Sequence, residues 1–348
     1  MACILIGDTT GVSMSVRLLA GVKGAVLACL LGGLSLHAAA DPVTLTLYNG
    51  QHAATGIAIA KAFTDKTGIQ VKIRKGGDGQ LASQITEEGA RSPADVIYTE
   101  ESPPLMRLSG AGLLAPLDAG TLALVEAQNA GGKGDWVGIT ARARVLAYNP
   151  KKIDEKDLPK SLMDLSDPQW SGRFGFVPTS GAFLEQVSAV IKLKGRDAAE
   201  DWLTGLKAFG SIYTNNVTAM KAVENGEVDM ALINNYYWYT LKKEKGELNS
   251  RLHFFGNQDP GALVTVSGAA VLKSSQHPKE AQQFVAFMLS EEGQKAILSQ
   301  SAEYPLRKGM QADPQLKPFA ELNPPQLSPA DMGEAKDALD LERDVGLN

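Results

Sequence analysis

Apolar and polar residues alternate with a period of two in two short stretches near the start of the chain. Val43, Leu45 and Leu47 alternate with Thr44 and Thr46, and Ile69, Val71 and Ile73 repeat the pattern, so both stretches read as strands. Between them, "AATGIAIAKAFTDKTG" carries its apolar residues at helical spacing and is closed by Gly68. A second helix near Gln80–Gly89 leads into a short strand, Asp95–Tyr98. This β-α-β-α-β opening predicts a parallel sheet with helices on its faces.

The same grammar resumes later. "SGAFLEQVSAVIKLKG" predicts a helix with Leu184, Val187 and Ile191 on one face and Gly195 as a stop. "NVTAMKAVENG" predicts a helix feeding the strand Val228–Ile233, and "NNYYWYTLKKEKG" starts another helix. Two extended stretches, Ile139–Tyr148 and Gly261–Leu272, separate these blocks, and each reads as one strand of a two-strand hinge. Late helices are predicted at Pro278–Leu289, with a stripe of Ala281, Phe284, Val285, Met288 and Leu289, and at Pro329–Val345. The expected fold class is therefore α/β, with two lobes joined by crossing strands. Ligands of α/β sheets sit outside the carboxyl ends of the strands.

The N-terminus has a different character. From Met14, Arg17 and Lys23 precede an apolar run that closes on Ala38-Ala39-Ala40, the pattern of a secretory signal peptide, so the mature chain is expected to start at Asp41. Residues 1–13 fit no part of that pattern, as an over-called start codon would explain. A membrane anchor is the competing reading, but Ala25–Leu36 falls well short of the roughly 20 residues a span needs. A lipoprotein acylated at Cys29 is a second alternative, with "VLAC" a poor attachment box. On the cleaved reading both cysteines, Cys3 and Cys29, are lost, which excludes disulfides, zinc fingers, iron–sulfur clusters and cysteine nucleophiles. About 308 residues then remain, more than a single core usually holds, so two domains are expected. Removing Arg17, Lys23 and Asp8 leaves 32 basic against 38 acidic residues, mixed along the chain, a surface ill suited to nucleic acid.

Candidate chemistry stands at the strand ends. His52 of "YNGQH" follows the first strand, Glu100 of "DVIYTEE" follows the third, and Tyr236 and Tyr237 of "ALINNYYWY" follow Val228–Ile233. Each has a plainer reading. A lone histidine at a strand end is commonly a hydrogen-bonding surface residue, Glu100 has Glu101 beside it, and Tyr-Tyr-Trp-Tyr can be an aromatic packing cluster. Neighbouring helical residues point about 100° apart, however, so the two tyrosines do not share a narrow core stripe. Together the four would form a hard, oxygen-rich donor set without thiol, which suits ferric iron better than zinc.

These phrases, with "EGARSPADVIYTE", "TSGAFLEQV", "AVENGEV", "QDPGALV", "SGAAVLK" and "AEYPLR", resemble over essentially the whole mature chain the periplasmic ferric-ion-binding proteins of bacterial ABC iron importers. The resemblance implies a two-lobed periplasmic-binding-protein fold with the ligand in the cleft. The first lobe would comprise 41–143 plus about 269–319, and the second 144–268 plus about 320–348. It implies that His52, Glu100, Tyr236 and Tyr237 bind Fe(3+). It also implies a synergistic anion, phosphate or carbonate, held by Ser180, Gly181 and Ala182 of "PTSGAF" with Asn216 and Asn234. Backbone N–H groups at a helix start favour an anion, although Thr179 or Ser180 could equally serve as a helix N-cap. The implied protein is a periplasmic monomer that delivers its cargo to an inner-membrane permease and its ATPase, and is not an enzyme. Two positions depart from the family: Glu101 where relatives can carry glutamine, and Ser301 where some carry arginine.

Two rival readings remain. A carrier for another metal or an organic anion would share the fold, but calcium or magnesium would ask for more carboxylates and carbonyls. A mononuclear iron oxygenase typically uses two histidines and a carboxylate, whereas the mature chain has only His52, His253 and His277. Gly-x-Ser-x-Gly, P-loop and His-Glu-x-x-His motifs are absent from the sequence.

Overall fold

The first alternating stretches form β1 (Thr44–Asn49) and β2 (Gln70–Lys75), parallel neighbours with Leu45 beside Val71 and Leu47 beside Ile73. The computed structural model describes residues 43–347; the leader read at residues 1–40, with both cysteines, lies outside them. Between the two strands, α1 (Ala53–Thr67) ends on Gly68, whose φ of 79° is the left-handed cap conformation that glycine adopts without penalty. Helix α2 (Asp78–Glu88) leads to β3 (Val96–Thr99), which pairs parallel with β1, as the β-α-β-α-β pattern predicts. Helices α3 (Pro103–Gly110) and α4 (Ala119–Leu122) then bring the chain to β4 (Val137–Tyr148), the longest strand and buried throughout.

β4 belongs to two sheets. Its first half, through Ala143, pairs antiparallel with β9 (Val264–Val271), which in turn borders β3. From Arg144 on it pairs with β7 (Met230–Asn234), and its end also meets β8 (Arg251–His253). Beyond β7 lie β5 (Phe174–Phe176) and β6 (Ser211–Ile212), both parallel additions. The sheet order is thus β2-β1-β3-β9-β4-β7-β5-β6, with β10 (Tyr304–Pro305) also on β4. The crossing strands run antiparallel to their neighbours, so the sheet is mixed rather than parallel. The other predicted hinge stretch behaves differently: β9 stays with β3 and β4, and residues before it, Phe255 and Ala262, pack in the second core.

Two faces of apolar residues organise the helices. α9 (Pro278–Met288) and α10 (Glu291–Leu298) cover the first sheet, and Phe284 and Phe287 meet Phe63 of α1 at 4.9 and 5.5 Å. The predicted stripe from Ala281 to Leu289 is wholly buried. In the second region α5 (Gly181–Lys194), α6 (Arg196–Phe209), α7 (Asn216–Asn225) and α8 (Asn235–Lys245) flank the strands, and Phe183 stacks on Trp202 at 5.8 Å. Each such aromatic contributes about 1.5–3 kcal/mol by leaving water.

Two helix predictions need correction. α5 has no single apolar stripe: Val187 is buried but Leu184 and Ile191 are only partly so, while Glu185, Gln186 and Ser188 are buried because the helix lies between sheet, cleft and C-terminal segment. The predicted helix Pro329–Val345 is broken into α11 (Pro329–Met332) and α12 (Lys336–Asp344), since Gly333 and Ala335 both take positive φ, 61° and 56°. Among the described residues no helix is long and apolar enough to cross a membrane.

Candidate metal and anion site

Each candidate donor leaves the carboxyl end of a strand. His52 sits between β1 and α1, Glu100 directly follows β3, and Tyr236 and Tyr237 occupy the first turn of α8 after β7. The structure brings all four together. His52 Nε2 lies 3.0 Å from Glu100 Oε1. The His52 ring centroid is 5.1 Å from that of Tyr236 and 6.0 Å from that of Tyr237, and the two phenol rings are 4.3 Å apart. Among the described residues no group of three or more His, Cys, Asp or Glu gathers in a metal-binding arrangement, so the donor capacity of the cleft depends on its phenols.

The loop carrying His52 is fixed by buried polar contacts. Gln51 Oε1 accepts from the His52 amide at 2.8 Å, and its Nε2 donates to Ser267 Oγ at 3.1 Å. The Ser267 hydroxyl donates in turn to the Thr99 carbonyl at 2.7 Å, immediately before Glu100. Asp78, at the start of α2, accepts from the Glu101 amide at 2.9 Å, and any side chain on Gly50 would collide with its carboxylate. Both acidic and imidazole donors on this side therefore rest on one connected support.

On the other side, Arg144 Nη1 donates to Asn234 Oδ1 at 3.0 Å, while its Nε and Nη2 donate to Gln186 Oε1 at 3.2 and 3.1 Å. This fixes the Asn234 amide so that its Nδ2 faces the Tyr236 hydroxyl at 3.5 Å. Asn216, the first residue of α7, is buried with an unpartnered Oδ1 and acts on the Tyr237 phenol. Contacts span the cleft: Ser102 donates to Glu185 Oε1 from both its amide and its hydroxyl, at 3.2 and 2.8 Å.

The predicted anion cradle is only partly available. Ser180 is the N-cap of α5: its hydroxyl accepts from the Phe183 amide at 3.2 Å and donates to the Val177 carbonyl, which also takes the Ser180 amide. Those groups are committed to the fold. The amides of Gly181 and Ala182 have no acceptor among the described residues. Ser301 points elsewhere, donating to Glu303 Oε1 at 2.9 Å, and Thr140 holds the other Glu303 oxygen.

Burial and neighbouring charge set the protonation of these groups. Burial, then the Glu100 carboxylate, pushes the Tyr237 phenol up to about 12 and Tyr236 well above its ordinary value. Burial works to lower His52, but Glu100 outweighs it and holds the imidazole above the usual histidine range. Burial and the neighbouring Glu100 raise Asp78 to about 7. Burial likewise raises Glu101, against the pull of Arg142, and lowers Arg144 to about 10, where it stays charged at neutral pH. Arg142, Arg144, Asp78 and Glu303 were not singled out from the sequence. The available signal was "ITARARVLAY", where two arginines interrupt an otherwise apolar strand; such residues are rarely buried without a partner.

A cleft between two strand-linked α/β lobes, with the four candidates on its two walls, defines a periplasmic-type solute-binding protein. Residues 58–324 match the family described as bacterial extracellular solute-binding protein. The chain is 48% identical over 330 residues to the major ferric iron-binding protein of Neisseria meningitidis serogroup B, covering 94% of this chain and all of that one. It is 40% identical over 314 residues to the Fe(3+)-binding periplasmic protein of Serratia marcescens, covering 89% and 93%. The crystal structure of iron-bound HitA from Pseudomonas aeruginosa superposes with a TM-score of 0.87 at 90% identity, covering 88% of this chain and all of that one. The chain belongs to the bacterial extracellular solute-binding proteins, in the branch that holds the ferric-ion-binding periplasmic proteins. It is a carrier and not an enzyme.

Proposed function

We propose that this protein captures ferric iron in its cleft, with His52, Glu100, Tyr236 and Tyr237 as donors. The observation that carries this reading is their convergence: one imidazole, one carboxylate and two phenols from opposite walls, within ring distances of 4.3 to 6.0 Å. Ferric iron prefers anionic oxygen, and phenolate also ligates the haem iron of catalase. Glutamate and two phenolates bring three negative charges against the ion's three positive ones. Four protein donors leave two octahedral positions for a synergistic anion, phosphate or carbonate. Gly181, Ala182, Asn216 and Asn234 would receive it, with Ser180 shaping the turn. The names of the relatives support the cargo.

The wider setting follows from the same reading. Residues 1–40 act as a cleaved signal peptide, the protein works in the periplasm as a monomer, and it delivers iron to an inner-membrane ABC permease and its ATPase. The first lobe comprises 41–143 and about 269–319, and the second 144–268 and about 320–348, a division supported at its first boundary by the exchange of sheets between Ala143 and Arg144, while residues 264–268 pair with the first-lobe half of β4.

The test is visible absorption after iron loading. Ferric phenolate should give a salmon colour. Tyr236→Phe and Tyr237→Phe should each lose most of it and bind iron at least about a hundredfold more weakly, more than loss of a supporting contact costs. Thermal melting of the metal-free variants should change little. Unaltered iron affinity in both variants would sink the ligand assignment, and a large loss of metal-free stability would favour a packing role.

A further inference from the structure

Arg142 is a buried cation with too few partners. Its side chain is fully shielded from solvent, yet among the described residues Nε, Nη1 and Nη2 find no hydrogen-bond acceptor. Its nearest acid is Glu101, with Nη2 3.5 Å from Oε1, and Glu101 also meets the Glu185 carboxyl. Glu303, Tyr236 and Glu100 also stand close enough to act on its charge. An unpartnered guanidinium in such a place is costly unless something else completes it.

The place is next to the anion cradle. A Cβ on Gly181 would stand 3.1 Å from Glu101 Cγ, so the Glu101 stem lies directly over the helix start whose Gly181 and Ala182 amides have no acceptor. Arg142 thus shares a partner, Glu101, with the groups that would receive a small oxyanion. Thr265, beside Arg142 in the β4–β9 pairing, adds another buried hydroxyl without a partner.

We propose that Arg142 is the cationic contact of the anion subsite, and that Glu101 is its tethered partner, which an incoming phosphate or carbonate displaces. A planar guanidinium with several idle N–H groups matches the oxygens of such an anion. The anion therefore competes with a carboxyl built into the chain, and its apparent affinity is set by how readily Glu101 yields. Ser301 contributes no cation; Arg142 supplies it from the strand beneath. This rests on the anion reading given above.

The experiment titrates inorganic phosphate against the iron-loaded protein under a fixed citrate challenge, following the visible colour, with equilibrium dialysis of labelled phosphate as a second readout. Glu101→Gln should lower the phosphate midpoint about tenfold, as one further charge-assisted hydrogen bond to the anion would. Arg142→Gln should raise it by a similar factor, and Arg142→Lys should fall between, since it keeps the charge without the fork. In the double variant the benefit of Glu101→Gln should vanish, because there is no Arg142 left to compete for. A Glu101→Gln midpoint within twofold of the parent protein, while the parent responds to phosphate, overturns this inference alone. Persistence of the benefit in the double variant also overturns it, since Glu101 would then act by general repulsion. Indifference to phosphate and carbonate in every protein would remove the anion reading and this inference together. Should Arg142→Gln fail to fold, seen by thermal melting, Arg142→Lys takes its place, alone and with Glu101→Gln, where the benefit of Glu101→Gln should shrink.

Discussion

A phenol whose pKa is pushed up to about 12, as at Tyr237, holds its proton at neutral pH until a cation displaces it. Tyr236, more deeply buried and also raised, is in the same position. Iron uptake at pH 7 should therefore release one proton from each phenol, and a further fraction from His52, whose raised pKa leaves part of it protonated. The sign is fixed: protons and iron compete for the same atoms, so lowering the pH favours release. Uptake followed with a pH indicator in weak buffer should show one proton fewer per iron for Tyr237→Phe; an equal count would mean that Tyr237 keeps its hydroxyl proton. Some of this was legible in the residues. Adjacent tyrosines just after a strand stood out because they cannot share one apolar stripe, and Tyr236 is indeed buried while Tyr237 is only partly so. The supporting arginines were not legible, because a run such as "ARAR" does not reveal which face of a strand looks into a cleft.

At the scale of the elements, Gly50 has no room for a side chain, since Asp78 packs where its Cβ would lie. Gly50→Ala should shift the β1–α1 turn that aims His52, destabilising the protein by roughly 1–3 kcal/mol as other overpacked sites do. The accompanying displacement of a donor should cost iron affinity as well. Chemical denaturation with and without iron separates the two losses; full iron affinity in a destabilised variant would show that the turn does not need to be rigid. Element positions were largely readable: β1, α1, α7 and α9 fall within a residue or two of their predicted ends, because periodicity and the stops at Gly68 and Gly226 are local signals. The burial of α5 on several sides and the break at Gly333 were not, because both depend on what packs against the helix rather than on its own pattern.

Across the whole molecule, the proposed donors stand on opposite walls, so bound iron would bridge the lobes and favour the arrangement in which Ser102 reaches Glu185. Small-angle scattering should give a smaller radius of gyration with iron and phosphate than without; identical profiles would mean lobes already locked. The two-sheet path of β4 also bears on how the chain comes into being. β3 receives its neighbour β9 only after residues 264–271 exist, and α1 finds Phe284 and Phe287 later still. The strands that pair with the second half of β4, and β5 and β6 beyond them, lie between residues 174 and 253. During synthesis, then, the sheet beneath the tyrosines has its strands before the sheet beneath His52 and Glu100 does, although its core still awaits Ala338 and Leu341 of α12. A nascent protein ending just after residue 253 would have the strands beneath its tyrosines but lack the one that borders β3.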